Sequence, residues 1–297
     1  MKSYLAAKRA NASKFGGYQF KDFNEECFGD YTNKTVDKII ATYGQYKCNK
    51  SIGTKYKEKR TFFGMEEQHN GAKYQGEIDP NEDAFHGYGT MIWKDGSRYD
   101  GWWRSDKPHH HGRLIMANGD MYEGEWEKGL ANGFGKYVHF NGSEYEGYWK
   151  DDLMHGQGTE RFSDGSIYKG LYVNGRKSGK GTFEWNDSSS YVGEFFENNI
   201  HGKGTYTWAD GRTYNGDWKF NKMDGRGVFK WSDGRVYEGE YKEDLKHGHG
   251  VFIWQDGRTY DGEWRNGKQD GYGTYTSSNG ESKKGIWRDG LRQDWID

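Results

Sequence analysis

The sequence predicts an all-β chain: an elongated, twisted single antiparallel sheet of consecutive β-hairpins, behind a short, mostly irregular N-terminal extension holding one short helix. Tyr-x-Gly recurs every 23 residues, at Tyr99, Tyr122, Tyr145, Tyr168, Tyr191, Tyr214, Tyr237 and Tyr260. Asp-Gly or Asn-Gly pairs keep the same period. Hydrophobic residues are only 32% of the 297, yet 18% are aromatic and 46 are glycine. A period of roughly 20 to 50 residues marks a repeat array in which each unit stacks on its neighbours. A mean hydropathy of -1.19 would suit a disordered chain, but disordered chains are poor in aromatic residues.

Residues 1–70 lie before the ruler. The opening MKSYLAAKRANASKF lacks the apolar run of a secretory signal; Lys2, Lys8, Arg9 and Lys14 precede the first acidic residue, Asp22, as in transit peptides. The stretch KFGGYQFKDF has no clear fold of its own. TVDKIIATYG predicts a helix over 35–43, with Thr35 as N-cap, Val36, Ile39, Ile40 and Tyr43 on one stripe, and Gly44 ending it. The stripe needs cover. Capping the open edge of the first hairpin is the first expectation, docking on a partner the second. Cys27 and Cys48 read as free thiols in a reducing compartment, cytosol or organelle interior.

Charge is uneven. Residues 1–70 carry 13 Lys and Arg against 8 Asp and Glu, and the remainder 30 against 37. The excess concentrates at Lys47, Lys50, Lys55, Lys57, Lys59 and Arg60. That segment reads first as a solvated connector and second as a contact for an anionic surface, whether membrane phosphate, nucleic acid or an acidic partner face. No apolar stretch approaches the ~18 residues that mark a membrane span.

The array is expected over 71–290, with a tail at 291–297. It opens at Tyr74, with a two-residue insertion before His86, and closes at Lys283, where Lys-Lys-Gly reads as a terminal cap. In the unit from Tyr191 to Arg212, Tyr191, Gly193 and Phe195 alternate with Val192, Glu194 and Phe196, the period of a strand. After a short polar loop, Gly202, Gly204, Tyr206 and Trp208 alternate with Lys203, Thr205 and Thr207 as a second strand. Asp210-Gly211 then predicts a type I′ hairpin turn, with positive φ at both residues. Only Asp187-Ser188 departs from the Asp-Gly or Asn-Gly pattern.

Parity sorts two faces. One gathers Tyr214, Gly216 and Trp218 with Gly225, Gly227, Phe229 and Trp231; the other carries Asn215, Asp217 and Lys219, which can stay in water. Glycine weakens a strand, so its recurrence on the aromatic face points to rings lying over bare backbone. Two strands per repeat at about 4.8 Å each give an expected length on the order of 90 Å, curling into a trough. The rings pack the sheet and also line a candidate partner groove: Tyr99, Trp103, Tyr122, Trp126, Tyr145, Trp149, Tyr214, Trp218, Tyr237 and Trp264.

Tyr-x-Gly-x-Trp, then His-Gly-x-Gly, then Asp-Gly at this spacing resembles the MORN repeat (membrane occupation and recognition nexus) from residue 74 to about 290. The resemblance implies a non-catalytic scaffold or adaptor. Related arrays occur in radial spoke heads of cilia, in protist cytoskeletal structures, in junctophilins, and appended to phosphoinositide kinases and a lysine methyltransferase. Departures are Tyr172, Phe195, Tyr241 and Ile78 at the Trp position. Asn132, Ser178, Asp224 and Asp270 stand where His86, His109, His155, His201 and His247 stand elsewhere. His110 replaces a glycine.

No catalytic signature emerges. His109, His110 and His111 read as one repeat position plus two local substitutions, not a metal site. Gly156-x-Gly158 and Gly202-x-Gly204 lack the third glycine of a dinucleotide fingerprint and enter strands. Some ten residues follow Trp287, which leaves no room for an appended enzyme domain. The expectation is therefore no enzyme activity, no cofactor, no metal and no nucleic-acid partner. Protein subunits of a cytoskeletal or ciliary assembly are the leading partners, and a terminal sheet edge offers a route to homo-oligomers. The alternatives are an anionic-lipid tether through the basic segment and a non-catalytic regulatory subunit of an enzyme complex.

Overall fold

The computed structural model describes residues 33–47 and 61–296. They form one helix, α1 (Lys34–Tyr43), and twenty-one strands, in two compact units that divide the chain at 163/164. The first unit holds β1 (Thr61–Glu67), β2 (Lys73–Asp79), β3 (Ala84–Ile92), β4 (Arg98–Arg104), β5 (Lys107–Ile115), β6 (Met121–Glu127), β7 (Leu130–Val138), β8 (Glu144–Lys150) and β9 (Leu153–Arg161). The second holds β10 (Ile167–Val173), β11 (Arg176–Glu184), β12 (Ser190–Phe196), β13 (Asn199–Thr207), β14 (Thr213–Lys219), β15 (Lys222–Lys230), β16 (Val236–Lys242), β17 (Leu245–Ile253), β18 (Thr259–Arg265), β19 (Lys268–Thr276), β20 (Ser282–Arg288) and β21 (Leu291–Ile296). Within each unit, consecutive strands pair antiparallel. Strand pairing starts at Thr61 and ends at Ile296, so β1 lies inside the expected extension and β21 inside the expected tail.

The Asp-Gly turn is not the expected type I′ turn. At Lys94-Asp95-Gly96 the loop has three residues: Gly96 N donates to Trp93 O and Trp93 N to Ser97 O, both at 2.8 Å. Only Gly96 takes positive φ, 82°, which makes a type I turn closed by one left-handed residue. Asp suits this loop because its carboxylate accepts from the backbone two residues on, as Asp95 Oδ1 does from Ser97 N at 3.1 Å. The type I′ turns sit in the short polar loops instead, where only two residues separate the strands. Glu197 and Asn198, between β12 and β13, have φ of 48° and 70°.

These two-residue turns also tie one repeat to the next. Asn221 N donates to Ile200 O at 2.9 Å, and Asn221 Oδ1 accepts from Ile200 N at 2.8 Å. Asp152 does the same with Ala131 and Asp244 with Met223.

The N-cap of α1 is Asn33, not Thr35. Its Oδ1 accepts from Thr35 N at 2.9 Å and Val36 N at 3.4 Å, while its Nδ2 donates to Asp95 O at 3.0 Å. Asn33 thus caps the helix and anchors it to a sheet turn at once. Gly44 ends the helix at φ 74°.

Nor does α1 cap the edge of the first hairpin. Val36 is buried against Ile115, Met121 and Val138, with Ile39 and Ile40 packed alongside, so the helix covers a face of β5–β7. That is the face expected to stay in water, and the expectation fails here because these three positions are apolar. Arg161, Glu184 and Thr207 occupy the counterparts of Ile115 and Val138 in later repeats. Beyond the helix, Arg113 donates to Gly44 O and pairs with Glu123, both at 2.6 Å; Tyr46 stacks on Tyr88 and His111. In the second unit the corresponding face carries exposed Asn215 and Lys219.

The other face is the core. Gly216 pairs with Gly227, and the ring of Tyr214 lies over both. Its hydroxyl donates to Asp217 O at 3.0 Å, a carbonyl at the β-bulge between Gly216 and Trp218. Trp218 meets Tyr214 edge-on at 5.0 Å, and its Nε1 donates to Gly204 O of the preceding repeat at 3.1 Å. Trp103, Trp126, Trp149 and Trp264 make the same bond to Gly89, Gly112, Gly135 and Gly250. Each ring therefore supplies apolar area and also satisfies a backbone carbonyl that the sheet leaves over.

Candidate partner-binding surface

All ten candidate groove residues are inward and buried. None is more than 7% exposed, and Tyr99, Tyr122, Tyr214 and Tyr237 are fully covered. Edge-on pairs such as Tyr99 with Trp126 at 5.5 Å and Tyr237 with Trp264 at 5.1 Å lock consecutive repeats together. Burial raises the pKa of these tyrosines well above the usual phenol range. Their area is committed to packing.

A continuous run of half-buried rings comes from the second strand of each hairpin, along the second unit. Trp185 contacts Tyr206 at 5.1 Å, Tyr206 contacts Trp208 at 4.6 Å, Trp208 contacts Phe229 at 5.1 Å, and Phe229 contacts Trp231 at 4.4 Å. Trp231, Phe252 and Trp254 continue the ladder at 5.5 and 4.7 Å. The four tryptophans and Tyr206 are half-buried, each with part of the ring in solvent.

An arginine stands over each of the last three indoles. The guanidinium carbons of Arg212, Arg235 and Arg258 lie 5.4, 5.3 and 5.5 Å from the rings of Trp208, Trp231 and Trp254. Each arginine also pairs with the aspartate of its own turn, Asp210, Asp233 or Asp256, at 2.7 to 2.8 Å. The side-chain hydrogen bond holds each carboxyl below its ordinary pKa. The result is a periodic row of flat, half-wet rings rimmed by oriented donors. Such a row presents flat ring faces flanked by N–H donors at the repeat spacing. Trp-x-Asp-Gly-Arg, visible three times in the sequence, is the signal that marks it.

The variable histidine position has a structural reason. His109 Nδ1 accepts from Lys128 N at 3.3 Å and His201 Nδ1 from Phe220 N at 3.5 Å, while Asp224 and Asp270 accept from Glu243 N and Asp289 N, both at 3.2 Å. At these four repeats the site supplies an acceptor for the next repeat's turn. At His109, burial and then Arg104 lower the pKa, in keeping with a neutral acceptor. Among the described residues no three His, Cys, Asp or Glu side chains are arranged to hold a metal ion. No described helix is long and apolar enough to cross a membrane. Lys47 is exposed; Lys50, Lys55, Lys57, Lys59 and Arg60 lie outside the described residues, as do both cysteines.

Comparison with known proteins agrees with the repeat geometry. The family model described as the MORN repeat matches nine consecutive stretches, from 81–98 and 99–121 through to 260–282, together more than half of the chain. No curated protein matches the chain. Among solved structures, the wild-type TCP10 domain of Danio rerio CPAP is similar at 11% identity and a TM-score of 0.38, over 70% of this chain and 98% of that one. The TCP domain of Drosophila melanogaster SAS-4, in complex with a proline-rich motif of Ana2, gives 14% identity and a TM-score of 0.33, over 52% of this chain and 85% of that one.

Proposed function

This chain belongs to the MORN-repeat family, and from that premise we propose that it is a non-catalytic scaffold that holds extended segments of partner proteins. The observation that carries the proposal is the ladder through Trp208, Trp231 and Trp254. There the rings stay half-open beside stacked Arg212, Arg235 and Arg258, while the Tyr and Trp rings of the first strands, such as Tyr214 and Trp218, are spent on packing. Tryptophan and arginine are the residues that most often carry binding energy at protein interfaces. The repeat spacing would let one partner segment meet equivalent sites in register. The family resemblance extends the reading to a cytoskeletal assembly, axonemal ones included.

The test is recovery of partners from a native extract by the tagged full chain, with and without Trp208, Trp231 and Trp254 replaced together by alanine. Loss of about tenfold or more in recovered, cross-linkable protein is expected, with strand content unchanged. Undiminished recovery would show that the ladder is not the binding surface.

A further inference from the structure

In the second unit one ammonium is enclosed by rings instead of carboxylates. Lys246, in β17, has its Nζ 5.2 Å from the ring centroids of Trp231 and Tyr237, 4.5 Å from Phe252 and 4.7 Å from Trp264. Among the described residues nothing accepts a hydrogen bond from that nitrogen. The half-buried ammonium therefore has ring faces as its protein neighbours on the enclosed side. Burial, and then repulsion from Arg235, brings the pKa down to about 8.

The fold does not require a cation here. Met223, Ile200 and Gln269 occupy the same repeat position in neighbouring units. Lys177, the remaining lysine of the series, lies 5.0 to 6.0 Å from the centroids of Tyr168, Tyr172 and Phe183. Several ring faces gathered round one nitrogen is the arrangement by which aromatic cages hold methylated ammonium groups.

We propose that Lys246 is a site of Nζ-methylation, and that its cage of rings is built to hold the methylated side chain. Each methyl replaces an N–H for which the described residues supply no acceptor with an apolar group that packs on the rings, while the positive charge that attracts the ring faces remains. The donor class is a sulfonium methyl compound. The Nζ lone pair attacks the methyl carbon, the C–N bond forms as C–S breaks, sulfur leaves with the bonding pair as a thioether, and the proton on nitrogen passes to water. The low proton affinity of this amine supplies the lone pair at neutral pH. Acylation would discard the charge and with it the attraction to four rings. Because the folded cage favours the methylated form over the exposed one, methylation stabilises the fold by linkage.

Two measurements test this. In the first, the full chain is reductively dimethylated at pH 8 with limiting formaldehyde, mapped by peptide mass spectrometry and melted, beside a Lys246→Met chain treated identically. Modification of Lys246 and a rise in melting midpoint of about 3 °C or more, absent from the Lys246→Met chain, is expected. An unmodified Lys246 beside dimethylated, exposed Lys180 and Lys242, or an equal rise in both chains, would overturn the proposal. In the second, chain purified from its native source should carry methyl groups on the peptide containing Lys246, and an unmodified peptide would overturn the assignment.

Discussion

The ring of Tyr214 lies so close to Gly227 that a Cβ on that glycine would stand 2.5 Å from Cε2, Cζ and the hydroxyl oxygen of the ring. Glycine is present there for the neighbouring ring, since its own backbone is ordinary strand. One ring over two paired glycines, with the hydroxyl on the carbonyl of a bulge, is the packing unit that the 23-residue period repeats.

Gly227→Ala should therefore destabilise the chain by about 1–3 kcal/mol, the usual range for overpacking. Tyr214→Phe leaves the packing in place but removes the bond to Asp217 O, and should cost about 1 kcal/mol. Urea unfolding followed by tryptophan fluorescence compares the two; a neutral Gly227→Ala would contradict the packing.

Lys246 sets a pH dependence. Its folded pKa of about 8 lies below the unfolded value of about 10.4, so between these limits the unfolded chain binds more protons and stability rises with pH. Below pH 8 the full penalty applies. Lys246→Met should then be more stable than the parent by about 2–3 kcal/mol at pH 7, with the gap narrowing toward pH 10. Midpoints of urea unfolding at the two pH values check this, and a gap that stays constant would contradict it.

The period, the hairpins and the reason for the glycines could be read from the sequence because each recurs in many units. What stayed hidden depends on single positions. Asp-Gly is shared by two hairpin loops, and the bond from Asp95 to Ser97 N distinguishes them only once the loop length is known. The apolar trio Ile115, Met121 and Val138 sat on the face assigned to water, and only their departure from the polar pattern marked the place where α1 docks. The candidate groove was drawn from the most regular rings, Tyr214 and Trp218 among them. Regularity there reflects burial, and Trp208 and Trp231, on the same aromatic face, lie outside that groove with their arginines.

His110 takes φ of 61° at the position where Gly156 and Gly202 have 72° and 65°. His110→Gly should raise stability by about 1 kcal/mol, since a left-handed conformation strains a residue with a Cβ. Differential scanning calorimetry reads the shift, and a lower midpoint would contradict it.

Val36→Asp should release α1 from β5–β7. The lost burial is worth about 1.5–3 kcal/mol, comparable with what holds one short helix to a sheet. Hydrogen exchange is expected to show loss of protection in α1 with the second unit unchanged, because repeats are stabilised by their neighbours. Retained protection in α1 would place its anchorage elsewhere.

The most direct measurement is extraction of the native source, detergent first and then high salt, with the chain followed by immunoblot beside a Trp208, Trp231 and Trp254 triple-alanine version expressed in the same cells. Retention of the parent in the detergent-resistant fraction, and release of the triple variant, is the result expected of a protein-binding scaffold. Release of the parent by detergent alone, with the membranes, would contradict it.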